Sequence, residues 1–130
     1  MINTNIKATN IELTPAIRAY VEEKVVMLGK LIDPNDTIAR ADVEVGQTTK
    51  HHQSGDIFRA EINLHIAGAD LRTESEREDL YAAIDEAKDE LMRQLRKEKT
   101  KRTDLVRRGG LALKRMLHRF SRSNEAEDNV

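Results

Sequence analysis

Residues 2–8 alternate, with Ile2, Thr4, Ile6 and Ala8 on one side, the period-two pattern of a half-buried strand. Thr14-Pro15 then predicts a helix start: a capping hydroxyl followed by proline at the first helical position, where its missing N–H costs nothing. Ile17, Val21, Val25 and Leu28 recur at helical spacing, flanked by Tyr20 and Leu31, until Gly29 weakens the last turn and Asp33-Pro34-Asn35-Asp36 signals a turn. Two alternating stretches follow. In 38–46, Ala41, Val43 and Val45 oppose Arg40, Asp42 and Glu44; in 57–66, Phe58, Ala60, Ile62, Leu64 and Ile66 oppose Arg59, Glu61, Asn63 and His65. The polar segment Gln47–Asp56 between them reads as a mobile loop. Ala67-Gly68-Ala69-Asp70 predicts a tight reversal into a strand over 70–75 that puts Leu71, Thr73 and Ser75 on one face.

The period lengthens again near Glu78-Asp79, two acids suited to the positive end of a helix. Leu80, Ile84, Ala87, Leu91 and Leu95 form the apolar stripe of a long second helix. At position 98 a glutamate takes the next core slot, so the helix is expected to continue beyond the sheet as a solvated, basic rod. Gly109-Gly110 is expected to end it, leaving 111–120 as a short amphipathic basic segment and Ser121–Val130 as a disordered, acidic end.

The predicted order is β-α-β-β-β-α, an α+β fold. The first strand–helix–strand unit favours a parallel pair with a right-handed crossover, and the later strands favour a meander. Two helices packed on one face of a four-stranded mixed sheet would bury both apolar stripes at once. The expected domains are residues 1–102, an α/β domain, and 103–130, a basic amphipathic extension with the disordered acidic end.

Composition narrows the function. The chain has 130 residues and no cysteine, which removes disulfides and thiolate chemistry. It has neither a long apolar run nor a secretory leader, so a soluble, cytoplasmic protein without membrane contact is expected. The formal net charge of −1 hides a partition. Residues 1–76 carry eight Lys/Arg and twelve Asp/Glu, residues 77–120 carry thirteen and eight, and residues 121–130 carry one and three. Within 91–119, eleven basic residues face only Glu98 and Asp104. A local cationic excess on an acidic body points to a polyanion contact.

At about 100° per residue, Arg93, Lys97 and Lys101 fall on one flank of the apolar stripe, while Lys88, Arg96 and Lys99 fall on the other; Arg102 closes the series. The competing account is that a charged helical face is merely solvated surface. Two features favour the polyanion: the excess has one sign, and few acidic partners at i, i+4 compensate it after Leu91. Tyr20, Phe58 and Tyr81 fit core or core-edge positions, so bases find few exposed rings to stack on. Recognition of folded RNA through shape and phosphates fits better.

Catalysis has no candidate. His51-His52, with Asp56 nearby, are poor joint ligands in a loop without a third fixed partner, so no metal is expected. Asp85, Glu86, Asp89 and Glu90 sit on the outer side of a helix with no pocket to perturb them. No phosphate-binding loop, dinucleotide fingerprint or nucleophile elbow occurs, so neither a cofactor nor a small-molecule substrate is expected.

The stretches IELTPAIRAYVEEKVVMLGK (11–30), IAGADLRTESE (66–76) and EDLYAAIDEAKDELMRQLRKEKTK (78–101) together resemble the ribosome hibernation promoting factor and ribosome-associated inhibitor family, also called the sigma-54 modulation protein family. The resemblance covers roughly residues 1–102 and is to the short type, with an atypical basic C-terminal extension. It implies a fold like that of double-stranded-RNA-binding domains. It also implies a ribosome-associated translation inhibitor that binds small-subunit rRNA in the tRNA and mRNA channel, monomeric off the ribosome. Lys24 and Lys30 match RNA-facing bases of the first helix, and Arg93, Lys97 and Lys101 match those of the second, with Gln94 retained beside them. Lys24 also lies close to the apolar stripe, where a lysine snorkels from a core edge. Met27 and Glu90 stand where relatives often carry lysine; Lys88, Arg96 and Lys99 are expected to compensate from the other flank. The extension, with Leu105, Leu111, Leu113, Met116 and Leu117 among its arginines and lysines, suggests a second contact with rRNA or ribosomal protein. Two alternatives stay open: a stand-alone module for structured RNA that does not act on the ribosome, and a protein–protein regulator whose basic helix docks an acidic partner.

Overall fold

The computed structural model describes residues 2–48 and 55–128, with side chains described except at 102 and 111–128. Its elements are β1 (Asn3–Thr9), α1 (Pro15–Gly29), β2 (Arg40–Gln47), β3 (Phe58–Ile66), β4 (Ala69–Arg77) and α2 (Leu80–Asp128). The strands form one sheet in the order β1-β2-β3-β4. β1 runs parallel to β2, and the other two pairs are antiparallel, so the sheet is mixed.

The register converts each strand's alternation into one apolar face. Ile6 stands opposite Val43, Val43 opposite Ile62, and Ile62 opposite Thr73. Val21, Val25 and Leu28 of α1 and Leu80, Ala83, Ile84, Ala87, Leu91 and Leu95 of α2 join Ala41, Val43, Val45, Ala60, Ile62 and Leu64 in a single buried cluster. Both helices therefore cover the same side of the sheet. Each leucine or isoleucine hidden there contributes about 1.5–3 kcal/mol relative to leaving it in water.

Local chemistry fixes the helix starts. The Thr14 hydroxyl accepts from the Ile17 amide at 3.2 Å, and Pro15 occupies the first turn. The Asp79 carboxylate accepts from the Tyr81 amide at 3.1 Å, satisfying a donor that the helix cannot pair internally. Hydrogen bonds tie α2 to β4. The buried Thr73 hydroxyl donates to the Ala87 carbonyl at 2.9 Å, and the Gln94 side-chain amide donates to the Arg72 carbonyl at 3.3 Å. Gly68, at φ 82°, makes the two-residue β3–β4 reversal. Gly46 is needed for a different reason: a Cβ there would lie 2.6 Å from the Thr9 carbonyl oxygen across the β1–β2 pair.

The sheet's other face is polar. Arg59 is ion-paired with Glu74 (2.7 Å), Glu44 (3.7 Å) and Glu61, while Arg72 reaches Glu61 (3.0 Å) and Glu74 (3.4 Å). Burial opposes the charge on Glu61, yet hydrogen bonds from Asn63, Arg72 and Arg59 hold its carboxyl at about 2.

The structure corrects the reading of the C-terminal third. Gly109-Gly110 does not break the chain, for α2 passes through both and continues to Asp128, so 111–120 is no separate segment and 121–128 is helical rather than disordered. Glycine costs a helix about 1 kcal/mol relative to alanine, but it does not forbid helical dihedrals. Neither glycine takes a positive φ, and residues 80–128 include no proline. Two compact units result, Met1–Arg96 and Lys97–Val130. Among the described residues, no helix is long and apolar enough to cross a membrane.

Candidate nucleic-acid interface

The cations predicted from the sequence divide into those held by carboxylates and those presented to solvent. In the compact unit Met1–Arg96, most are held. Lys24 is half-buried, its Nζ 3.3 Å from Asp85 and 4.6 Å from the centre of the Tyr20 ring. The Tyr20 hydroxyl donates to both Asp85 oxygens at 2.7 Å, and Tyr81 meets the Tyr20 ring edge-on at 4.8 Å between centroids. The bond to Asp85, helped by burial, pushes the Tyr20 hydroxyl up to about 12. This cluster braces α1 against α2. Lys24 takes part in it as a core-edge residue, as the snorkelling expectation had it.

Lys88 overturns an expectation. Placed on an exposed flank by the helical wheel, it is buried at 8% exposure, with its ammonium 2.6 Å from Asp89. Ile84 and Leu91, four residues before it and three after it, are fully buried, so Lys88 stands at the edge of the apolar stripe with its stem covered and its tip on a charge partner. Lys88 therefore cannot compensate for Met27 and Glu90. Arg93 is exposed but paired with Glu90 at 2.5 Å. Glu90, one of the departures noted in the sequence, thus neutralises the cation three residues on. Arg77 pairs with Glu86, whose carboxyl the guanidinium holds below its ordinary range. Arg96 is exposed and has an interaction partner. Lys30 is exposed at the C-cap of α1, with no carboxylate in ion-pair range among the described residues. Arg18, in the first turn of α1, is likewise exposed with no carboxylate in ion-pair range among the described residues, although charge and spacing did not single it out.

In the unit Lys97–Val130 the situation reverses. Lys97, Lys99 and Lys101 are exposed, and none of them has an ion-pair partner among the described residues. Arg102 lies in α2, with its side chain outside the described residues. Among the described residues, three or more metal-binding side chains nowhere come together; His51 and His52 lie outside those residues.

A sheet of this order, two helices on one side of it and a lysine-rich continuation of the second helix define the class. The chain belongs to the family described as Sigma 54 modulation protein / S30EA ribosomal protein, which it matches over residues 4–103. It is 36% identical over 100 residues to the ribosome hibernation promotion factor of Bacillus subtilis (strain 168), an alignment covering 77% of this chain and 50% of the relative. It is 35% identical over 103 residues to the ribosome hibernation promoting factor of Azotobacter vinelandii, covering 79% and 88%. The chain thus spans about half the length of the first of these relatives and most of the second. The crystal structure of the Thermus thermophilus Protein Y N-terminal domain superposes with a TM-score of 0.61 at 35% identity, covering 74% of this chain and 96% of that one.

Proposed function

We propose that this protein is a ribosome-associated hibernation factor and translation inhibitor. In this reading it binds small-subunit rRNA in the tRNA and mRNA channel and acts by occupancy, not catalysis. Its partners are the small ribosomal subunit and no small molecule, and its place is the cytoplasm. The observation that carries the reading is the run Lys97, Lys99 and Lys101, exposed and without an ion-pair partner among the described residues, inside the region that matches the family. Unpaired ammonium groups have no intramolecular competitor to displace before they meet phosphate, and each contact releases counterions. Relatives named for ribosome hibernation support the ribosome as the source of that phosphate.

The test is co-sedimentation with purified small subunits. The chain should pellet with them and be displaced by added initiator tRNA or mRNA. Replacing Lys97, Lys99 and Lys101 together with glutamate should remove binding while leaving the melting of the compact unit unchanged. Binding that survives excess tRNA and mRNA would count against the channel; a triple variant that binds like the parent would count against these lysines.

A further inference from the structure

The compact unit Met1–Arg96 holds twelve Lys/Arg against eighteen Asp/Glu, a surplus of anions surprising in a protein proposed to meet RNA. The surplus of cations lies in α2 beyond it, and it runs past the end of the family match at residue 103. Every described residue from Lys99 to Gly110 is exposed, including Arg107 and Arg108, and neither arginine has a carboxylate in ion-pair range among the described residues. At 100° and 1.5 Å per residue, Lys97, Lys101 and Arg108 fall within an arc of about 40° and span about 16 Å of helix. Lys99 and Arg107 occupy the other side.

We infer that α2 from Lys97 to Arg108 is a phosphate-binding segment for folded RNA, in which Arg107 and Arg108 supply contacts beyond those of the family region. This rests on the proposed function only for the identity of the RNA as ribosomal. Density and type of charge select the ligand: a guanidinium meets phosphate through two parallel hydrogen bonds, and closely spaced cations suit a polymer with one anion per nucleotide. Residues 97–110 include no aromatic side chain, so contact is with backbone and not with stacked bases. Leu105 and Val106 are 65% and 74% exposed. Successive residues point about 100° apart, so the two offer neither the central apolar anchor of a protein interface nor the continuous apolar face of a membrane-surface helix. A second copy of the same segment would be repelled by like charge.

The experiment uses the full chain and two probes, purified small subunits and an RNA duplex of about 24 base pairs. Affinity is measured against salt for the parent, for R107Q/R108Q and for R107K/R108K, with circular dichroism to verify helix content. Glutamine is a good helix former, so the neutral variant should keep α2. It should bind both probes about tenfold more weakly, with a log–log salt slope shallower by roughly 1.5, the loss expected for two phosphate contacts. The lysine variant should keep most of the slope. Unchanged affinity and slope in R107Q/R108Q would overturn the segment. So would an equal loss in the lysine variant, or tighter binding to vesicles of phosphatidylglycerol and phosphatidylcholine than to the duplex. The ribosomal reading fails separately. Should the parent ignore small subunits yet bind the duplex through Arg107 and Arg108, the segment stands and that reading falls.

Discussion

The two units Met1–Arg96 and Lys97–Val130 place charge in opposite ways. The first is anionic in sum, and most of its described cations are held internally: Lys24 by Asp85, Lys88 by Asp89, Arg93 by Glu90, Arg59 by three glutamates. The second carries ten Lys/Arg against five Asp/Glu, and its described lysines face solvent. Charge thus serves stability where a core anchors it, whereas the described residues from Lys99 to Gly110 are exposed and leave their charges in water. In the compact unit, ion pairs form because both partners sit on elements already fixed by apolar burial, so little further entropy is lost in pairing them. In the second, acidic neighbours along the helix are few.

Substitutions test this contrast from either side. The largest effect is expected for Leu91→Ala, since Leu91 is fully buried. Loss of its contacts should lower the stability of Met1–Arg96 by about 2–5 kcal/mol in chemical denaturation. Hydrogen exchange should show faster opening throughout that unit and no change in amides beyond residue 100. Glu61→Gln comes next. A carboxyl held at about 2 against an ordinary 4.5 adds stability that is fully present above pH 4.5 and fades as pH falls towards 2. The variant should therefore lose roughly 2 kcal/mol at neutral pH and unfold with a flatter dependence on pH between 4.5 and 2. A profile parallel to the parent's would show that Glu61 is not the group responsible. Gly109→Ala with Gly110→Ala acts on the other unit. A Cβ at either position meets nothing within 4 Å. Helix content measured by circular dichroism should rise, with a gain of about 1 kcal/mol per site in local helix stability, while the melting of the compact unit stays put. The smallest effect on binding is expected for Lys24→Gln. Ribosome co-sedimentation should hardly change, because that ammonium already serves Asp85, whereas the melting temperature should fall by a few degrees. A large loss of binding would show that Lys24 leaves Asp85 for the ligand.

Strand and helix positions were legible because burial imposes a period. Thr14-Pro15 and Asp79 mark helix starts as expected, and the stripe Leu80, Ile84, Ala87, Leu91, Leu95 is buried throughout. The candidate site was legible only in part. The exposure of Lys97, Lys99 and Lys101 follows from spacing alone. The partner of Arg93 was within reach too, for Glu90 stands three residues before it on the same helix. What spacing could not reveal is Lys24 meeting Asp85 and Tyr20 meeting the same carboxylate, 65 residues away in sequence, since that pairing depends on how two helices lie on one sheet. Lys88 misled for a related reason. A wheel assigns a side chain to a flank, but the width of the buried zone is set by neighbouring elements. Gly109-Gly110 misled because a glycine pair lowers helix stability without stopping the helix.

Strand β4 lies at the rim of the sheet, with one row of peptide groups left without a neighbouring strand. Such a rim invites another chain to add itself by backbone pairing, the first step towards fibrous aggregates. Along β4 the residues facing away from the helices are Asp70, Arg72, Glu74 and Glu76. An incoming copy of the same strand in parallel, in-register pairing would set each of these charges beside its own kind. The charges along β4 thus guard the rim against self-templating.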